Sequence, residues 1–284
     1  MFKKKFKWFS DRYPKKKSQS DSKITIKYED TPEHINLARL NNIDGSYDIT
    51  AKVPFSKVAI LKPTTVDIVF DFAYKMTFGE SGEHRDHRSG GNLKRKKGEI
   101  FANTFQGKIS ECAVCNFFHT CGITIVPDFS TYGLGEWDSV DLSVNGKEIS
   151  VKSTKHYGQL LLLETKDWNE KGEYIPNIEK GNATYDYFLL VRINPSCEDI
   201  MKKYSLLYKN SISKGDLYKI ISTEEWSYDY AGWITGKELK YIIDNKYILP
   251  KSAKLNGKTT MDAENYYVQA GCMHNMRELE EHFK

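Results

Sequence analysis

The sequence predicts an α/β fold, and three stretches of the chain carry this prediction. Residues 98–122 indicate one long helix, because apolar side chains between Ile100 and Phe117 recur at spacings of three and four. Residues 185–193, "YDYFLLVRI", form a continuous apolar run that is typical of a buried strand. Between them, a hairpin signal at 141–152 and the run "QLLLLE" add further strands. We therefore expect a mixed central sheet flanked by helices, with additional segments at both ends.

The composition limits the class of protein. The chain has 284 residues, of which 39% are hydrophobic, and this is enough to build a core. Its apolar runs are much shorter than the roughly 18 residues that a membrane helix needs. The lysine-rich N-terminus lacks the apolar region of a secretory signal, and five cysteines suit a reducing compartment better than a disulfide framework. We expect a cytoplasmic protein with free thiols and no membrane partner.

The pattern also divides the chain into segments. The expected segments are a basic flexible tail (1–22), a β-rich N-terminal lobe with a basic loop (23–97), a core (98–195) and a C-terminal segment (196–284). Within the N-terminal lobe, "KVAILK" and "TVDIVFDFAYKM" resemble strands. Gly122 is positioned to end the long helix, and Thr235 with Glu238 matches a helix capping box.

The distribution of charge matters more than its total. The net charge is only +4, but residues 3–17 and 85–97 are locally basic. The first stretch is expected to be a solvated tail. The second surrounds a Gly-Gly pair that allows close backbone approach to a phosphate, although an exposed loop is the alternative. The candidate DNA contacts are Arg85, His87, Arg88, Lys94 and Arg95 in this loop, with Lys155 and Lys237 elsewhere.

The stretch "DLSVNGKEISVK" predicts a β-hairpin. Asn145-Gly146 is the strongest short hairpin signal, because a type I′ turn needs positive φ at both positions. A two-residue turn here sets the register of the two strands. It pairs Leu142 with Ile149, Ser143 with Glu148 and Asp141 with Ser150. On the polar face, Lys152 becomes a diagonal neighbour of Asp141.

These residues resemble the PD-(D/E)XK nucleases, and among them the type II restriction endonucleases. The resemblance covers roughly residues 98–193 and consists of a helix bearing Glu111, the strand "DSVDL", a turn and the element "SVK". It implies a restriction-endonuclease-like core in which Asp141 and a second acid hold Mg²⁺, while Lys152 assists the attacking water. It also implies hydrolysis of double-stranded DNA at a specific sequence by a homodimer, with residues 196–284 as a DNA-contacting or dimerisation segment.

The sequence departs from the family at Ser150, which stands where the family has an acid. The missing carboxylate is expected from Glu148, from Glu111 or from Glu164. We favour Glu164, because a known variation within restriction endonucleases combines Ser-x-Lys with an acid from the next element. Asp138 is a second candidate metal ligand, since a β-bulge would re-aim it toward the lysine.

Two further clusters are expected to be structural. The series "CAVCNFFHTC" resembles a metal site, but within a helix its cysteines fall near the apolar face and serve as small hydrophobes. The aromatics of the C-terminal segment are more typical of a small core than of base-stacking groups. They are Trp226, Tyr228, Tyr230 and Trp233.

The expected function is therefore that of a Mg²⁺-dependent endodeoxyribonuclease of restriction type. One alternative is a structure-selective or repair nuclease with the same core, which would prefer branched or damaged DNA. A second, motivated by Ser150, is a non-catalytic DNA-binding module with a decayed nuclease core. A third is a protein-interaction domain, which would be indifferent to DNA.

Overall fold

The computed structural model describes residues 28–30, 36–79, 95–130 and 141–284, and it has a mixed α/β architecture. The α-helices are α1 (Pro63–Phe78), α2 (Lys97–Thr120), α3 (Cys197–Lys203), α4 (Lys214–Ser222), α5 (Gly236–Asp244) and α6 (Met276–Glu281). Short 3₁₀ helices span Thr165–Asp167, Ile175–Lys180 and Ala270–Cys272. Within these ranges, no helix is both long and apolar enough to cross a membrane.

The strands form several sheets. They are β1 (Tyr28–Asp30), β2 (Asn36–Ala38), β3 (Asn41–Ile43), β4 (Ser46–Asp48), β5 (Ala59–Ile60), β6 (Leu142–Val144), β7 (Lys147–Lys155), β8 (Leu160–Glu164), β9 (Tyr187–Asn194), β10 (Ser227–Thr235), β11 (Ile248–Leu249), β12 (Lys254–Leu255), β13 (Thr259–Thr260) and β14 (Asn265–Gln269). The central sheet has the order β5-β10-β9-β7-β6, with β7 parallel to β9 and the other pairs antiparallel. A second sheet has the order β11-β14-β8.

The two faces of the central sheet belong to two separate cores. On one face, α1 and α2 pack against Ile149 and Leu189. On the other face, Phe188 and Leu190 pack with β8, β14 and α5. Since side chains alternate along a strand, this division assigns each residue of β7 to a face.

The helix α1 corrects one sequence prediction. "TVDIVFDFAYKM" was expected to be a strand because it is rich in β-branched and aromatic residues, and that prediction is wrong. The buried side chains recur at helical spacing on the side that faces α2, and Pro63 occupies the first turn, where a missing N–H costs nothing. Packing against α2 therefore overrides the local strand preference. The buried positions are Val66, Val69, Phe70, Ala73 and Thr77.

Several other local predictions are confirmed. The long helix spans Lys97–Thr120, and Gly122 lies just beyond it with φ +84°, in the left-handed region that favours glycine. Thr235 and Glu238 form the expected capping box of α5. The strand β9 is buried on both faces, and the four C-terminal aromatics are core residues. "QLLLLE" forms β8, but in the second sheet rather than the central one.

A buried ion pair fixes the segment that precedes β5. The guanidinium of Arg192, 0% exposed, donates to both carboxylate oxygens of Asp229, with Nε–Oδ1 at 2.8 Å and Nη2–Oδ2 at 2.6 Å. Its remaining donors reach the carbonyl oxygens of Val53, at 2.6 Å, and Pro54, at 3.0 Å. Asp229 also accepts from the backbone N–H of Ser56 at 2.7 Å. Four hydrogen bonds thus engage the guanidinium and three engage the carboxylate, and they tie residues 53–56 to β9 and β10.

A histidine between two carboxylates fastens the C-terminal segment to the sheet. His274 Nε2 lies 2.7 Å from Glu238, which is fully buried, and Nδ1 lies 3.2 Å from Glu278. The imidazole also stacks on Trp233, with ring centroids 4.4 Å apart. Burial lowers the pKa of His274, but the hydrogen bonds and charges of the two glutamates outweigh it and raise the pKa above 6.5.

We expect His274→Gln to destabilise the fold by about 1.5–3 kcal/mol at pH 6, the usual value of hydrogen bonds to a charged group. Because the folded pKa is raised, this stabilisation is fully present below pH 6.5 and is lost as the pH rises through the folded value. Urea unfolding across a pH series measures the difference between wild type and variant. His119→Gln, at an exposed position, is the control. If the difference in the free energy of unfolding between wild type and His274→Gln grows as the pH rises, this explanation is wrong.

Candidate functional site

The predicted hairpin forms in the predicted register. Leu142 pairs with Ile149, Ser143 with Glu148 and Val144 with Lys147. Asn145 and Gly146 have φ values of +50° and +75°, as a type I′ turn requires. The positions of the polar side chains on this hairpin are therefore set by local sequence.

Asp141 lies directly before β6 and contacts the next strand. Its Oδ2 accepts a hydrogen bond from the backbone N–H of Val151 at 2.6 Å and from the hydroxyl of Ser150 at 3.2 Å. In the part of the chain that the structure describes, Oδ1 accepts no hydrogen bond. Beyond Ile149, the described strands pair with β7 only on its β9 side. Among the described residues, the carboxylate thus has one oxygen engaged and one without a hydrogen-bond donor.

Lys152 lies on the face of the sheet that the second sheet covers. Its register partner on β9 is Leu190, and the partner of Ser150 is Phe188. Both partners belong to the core shared with β8 and β14. Lys152 is half-buried and forms no ion pair with any described residue, so the predicted contact with Asp141 is not an ion pair. Its ammonium remains uncompensated within those ranges.

Glu148 and Glu164 approach this face from different directions. Glu148 lies two residues before Ser150, and its Oε1 accepts from Ser143 at 3.2 Å. Glu164 ends β8, in the sheet that packs on this face. Trp168, four residues later, contacts Phe188 with ring centroids 5.3 Å apart. The segment that follows β8 therefore packs on Phe188, the register partner of Ser150.

Glu111 lies on the opposite side of the sheet. It projects from α2, whose apolar side packs in the other core. Its carboxylate is 2.6 Å from the ammonium of Lys108, and both side chains are largely buried. Lys108 also donates to the carbonyl oxygen of Asp128 at 2.8 Å. The charge of Glu111 is thus already compensated by a neighbour on its own helix.

The predicted DNA contacts fall in different parts of the chain. Arg85, His87, Arg88 and Lys94, together with the alternative metal ligand Asp138, lie outside the described residues. Arg95 lies two residues before the start of α2, and Lys237 is exposed in the first turn of α5.

Lys155 occupies an unexpected environment. Its ammonium lies 2.8 Å from Asp199 and 3.4 Å from Glu198, both in the first turn of α3. Burial lowers the pKa of Lys155, but hydrogen bonds with Asp199 and Tyr157 and the charge of Glu198 outweigh it and raise the pKa. No local pattern in the sequence indicates this network, because its acids lie more than 40 residues away. Lys155 is therefore a less available phosphate contact than predicted.

The cysteine cluster lies in the core beside α2. Burial raises the pKa of Cys112 and of Cys115 to about 12, so both are thiols at neutral pH. In the described ranges, no three histidine, cysteine, aspartate or glutamate side chains are grouped as metal ligands.

A groove of about 410 Å³ opens between α1, α4 and the edge strand β5. Three carboxylates line it, and none of the sequence-predicted site residues does. Negative charge disfavours phosphate, so this groove does not suit the predicted DNA. The carboxylates belong to Asp67, Glu224 and Glu225.

Comparison with known proteins adds no evidence on function, since the chain matches no family model, no curated protein and no solved structure.

Proposed function

We propose that the protein is a Mg²⁺-dependent endonuclease that hydrolyses phosphodiester bonds in double-stranded DNA. The observation that carries this proposal is the arrangement of polar side chains on β7. Asp141 accepts from the hydroxyl of Ser150, and Lys152, which has no carboxylate partner among the described residues, lies two residues further along the same face. A carboxylate and an ammonium on one face are the groups that phosphodiester hydrolysis needs.

The donor set suits Mg²⁺, which prefers oxygen ligands and takes only one or two carboxylates from a protein. Asp141 would hold the ion through Oδ1, and Glu164 is the favoured second ligand because its strand packs over the same face. When bound, Mg²⁺ supplies a Lewis acid that polarises the phosphate and lowers the pKa of water.

The protein groups have separate roles in this proposal. Ser150 and the N–H of Val151 orient the Asp141 carboxylate through Oδ2. Lys152 places a positive charge where negative charge develops on the phosphate, and its half-buried position strengthens that effect. Ser150 is thus a positioning residue. The second carboxylate ligand comes from another strand.

The proposal is tested by incubating the purified protein with plasmid DNA in Mg²⁺, with EDTA as the control. Metal-dependent cleavage is expected, and discrete fragments would identify a fixed recognition sequence and hence a restriction-type enzyme. Faster cutting of branched or damaged DNA than of intact plasmid would identify a structure-selective nuclease instead. The absence of cleavage with every divalent metal would refute catalysis.

One observation favours a second candidate function, that of a non-catalytic DNA-binding module. Asp141 Oδ2 already bonds the β7 backbone, which is the behaviour of a structural cap. In that case, DNA binding would persist, no product would form in Mg²⁺, and Glu164→Ala would change nothing.

A further inference from the structure

Two segments that are distant in sequence meet on one side of the molecule. The N–H of Gly98 donates to the carbonyl oxygen of Lys209 at 2.9 Å, and the N–H of Lys97 reaches Asn210 Oδ1 at 3.4 Å. A Cβ at position 98 would lie 2.3 Å from the Leu206 carbonyl oxygen, so only glycine permits this approach. The start of α2 and the loop after α3 therefore form one continuous surface.

We call this the Lys–Tyr surface, and its defining side chains are all exposed. They are Lys96, Lys97, Lys202, Lys203, Lys209, Tyr204 and Tyr208. Lys202 is paired with Glu198. Lys97, Lys203 and Lys209 form no ion pair with any residue in the described ranges. The surface therefore carries positive charge that its own carboxylates do not balance.

The two tyrosines distinguish this surface from an ordinary solvated lysine patch. Tyr204 is 45% exposed and Tyr208 65% exposed, whereas other tyrosines, such as Tyr228 and Tyr230, are buried in the core. The ammonium of Lys203 lies 5.2 Å from the centroid of the Tyr204 ring. Ring faces open to solvent beside cations provide a platform for stacking and for phosphate contacts together.

The Lys–Tyr surface and the candidate site share the strand β7 but lie on opposite sides of the sheet. The helix α3 docks on the carboxyl end of β7 through the contacts of Lys155 with Asp199 and Glu198. Lys152 and Lys155 are three residues apart on this strand, so they are about 10 Å apart along it and project from opposite faces. The Lys–Tyr surface therefore lies on the α2 side of the sheet, whereas Lys152 lies on the side that the second sheet covers.

We propose that the Lys–Tyr surface binds an unpaired strand of nucleic acid, with phosphates on the lysines and bases stacked on Tyr204 and Tyr208. Unpaired bases are favoured over duplex because a duplex buries its base faces and leaves the tyrosines without partners. This binding site goes beyond the proposed function, and its binding is measured without cleavage.

The test is fluorescence anisotropy in EDTA, with a labelled single strand of about 16 nucleotides and the matched duplex at several salt concentrations. Tyr204→Ala/Tyr208→Ala should weaken single-strand binding roughly tenfold or more and leave duplex binding nearly unchanged. Lys97→Ala/Lys203→Ala/Lys209→Ala should reduce the slope of log affinity against log salt by about 2, since each lost phosphate contact removes about 0.7.

The matched control is Lys251→Ala/Lys254→Ala/Lys258→Ala, which removes the same charge from exposed positions in and around β12. Equal losses in the two lysine variants would show attraction by net charge alone and overturn the proposal, as would a tyrosine variant that binds the single strand normally. Lys152→Ala should bind normally, so a failure of catalysis and a failure of this surface are distinguishable.

Discussion

Replacing Lys152 by alanine is expected to lower the rate of Mg²⁺-dependent DNA cleavage by about 10²–10³-fold, the usual loss when a group that stabilises transition-state charge is removed. The ammonium has no carboxylate partner among the described residues, so its charge remains available to a phosphate. The rate is measured under single-turnover conditions with a plasmid substrate, and DNA binding is measured separately.

Lys147→Ala is the matched control for this prediction. It removes the same group from the same strand, but its ammonium is exposed and lies 3.2 Å from Asp186. Cleavage should then stay within about twofold of wild type, because an exposed ion pair contributes little. Lys152→Met provides a second variant that keeps the unbranched side chain if alanine disturbs folding. Full activity in both Lys152 variants would remove this residue from the site.

Replacing Arg192 by methionine is expected to cost about 3–5 kcal/mol in the free energy of unfolding, because it leaves a buried carboxylate without its counter-charge. Asp229 is only 3% exposed, so solvent cannot replace the guanidinium. The carbonyl oxygens of Val53 and Pro54 lose their donors in the same step. Urea denaturation measures the change.

The double variant Arg192→Met/Asp229→Leu separates the two parts of this effect. Replacing both partners removes the unpaired charge, so stability should recover toward the wild-type value. If the single variant lowers the free energy of unfolding by less than about 1 kcal/mol, the ion pair contributes no more than an exposed surface pair does. That result would contradict the expected cost of leaving a buried charge unpaired.

The parts of the fold that sequence predicted correctly depend on local chemistry. The Asn145-Gly146 turn sets its own backbone angles, and these angles fix the register of the hairpin. The spacing of apolar residues defined α2, and the capping box of α5 lies within four residues. Each of these predictions depends only on residues that are close together in the sequence.

The parts that sequence could not predict depend on contacts between distant segments. The helix α1 has the composition of a strand, and only packing against α2 decides its form. The acids that engage Lys155 and the loop that meets Gly98 are separated from them by more than 40 and more than 100 residues, respectively. In the candidate site, the hairpin register predicted the contact between Asp141 and Ser150. No local pattern predicted that the strand of Glu164 belongs to the second sheet.

The proposed nuclease requires that Asp141 is a metal ligand and not only a cap on β7. Calorimetric titration with Mn²⁺, as a substitute for Mg²⁺, tests it on the wild type and on Asp141→Asn. The amide oxygen of asparagine can still accept from Val151, so folding should be retained while a carboxylate ligand is lost. We predict saturable binding to the wild type and an affinity at least about tenfold weaker in the variant. Equal binding by the two proteins would contradict the claim.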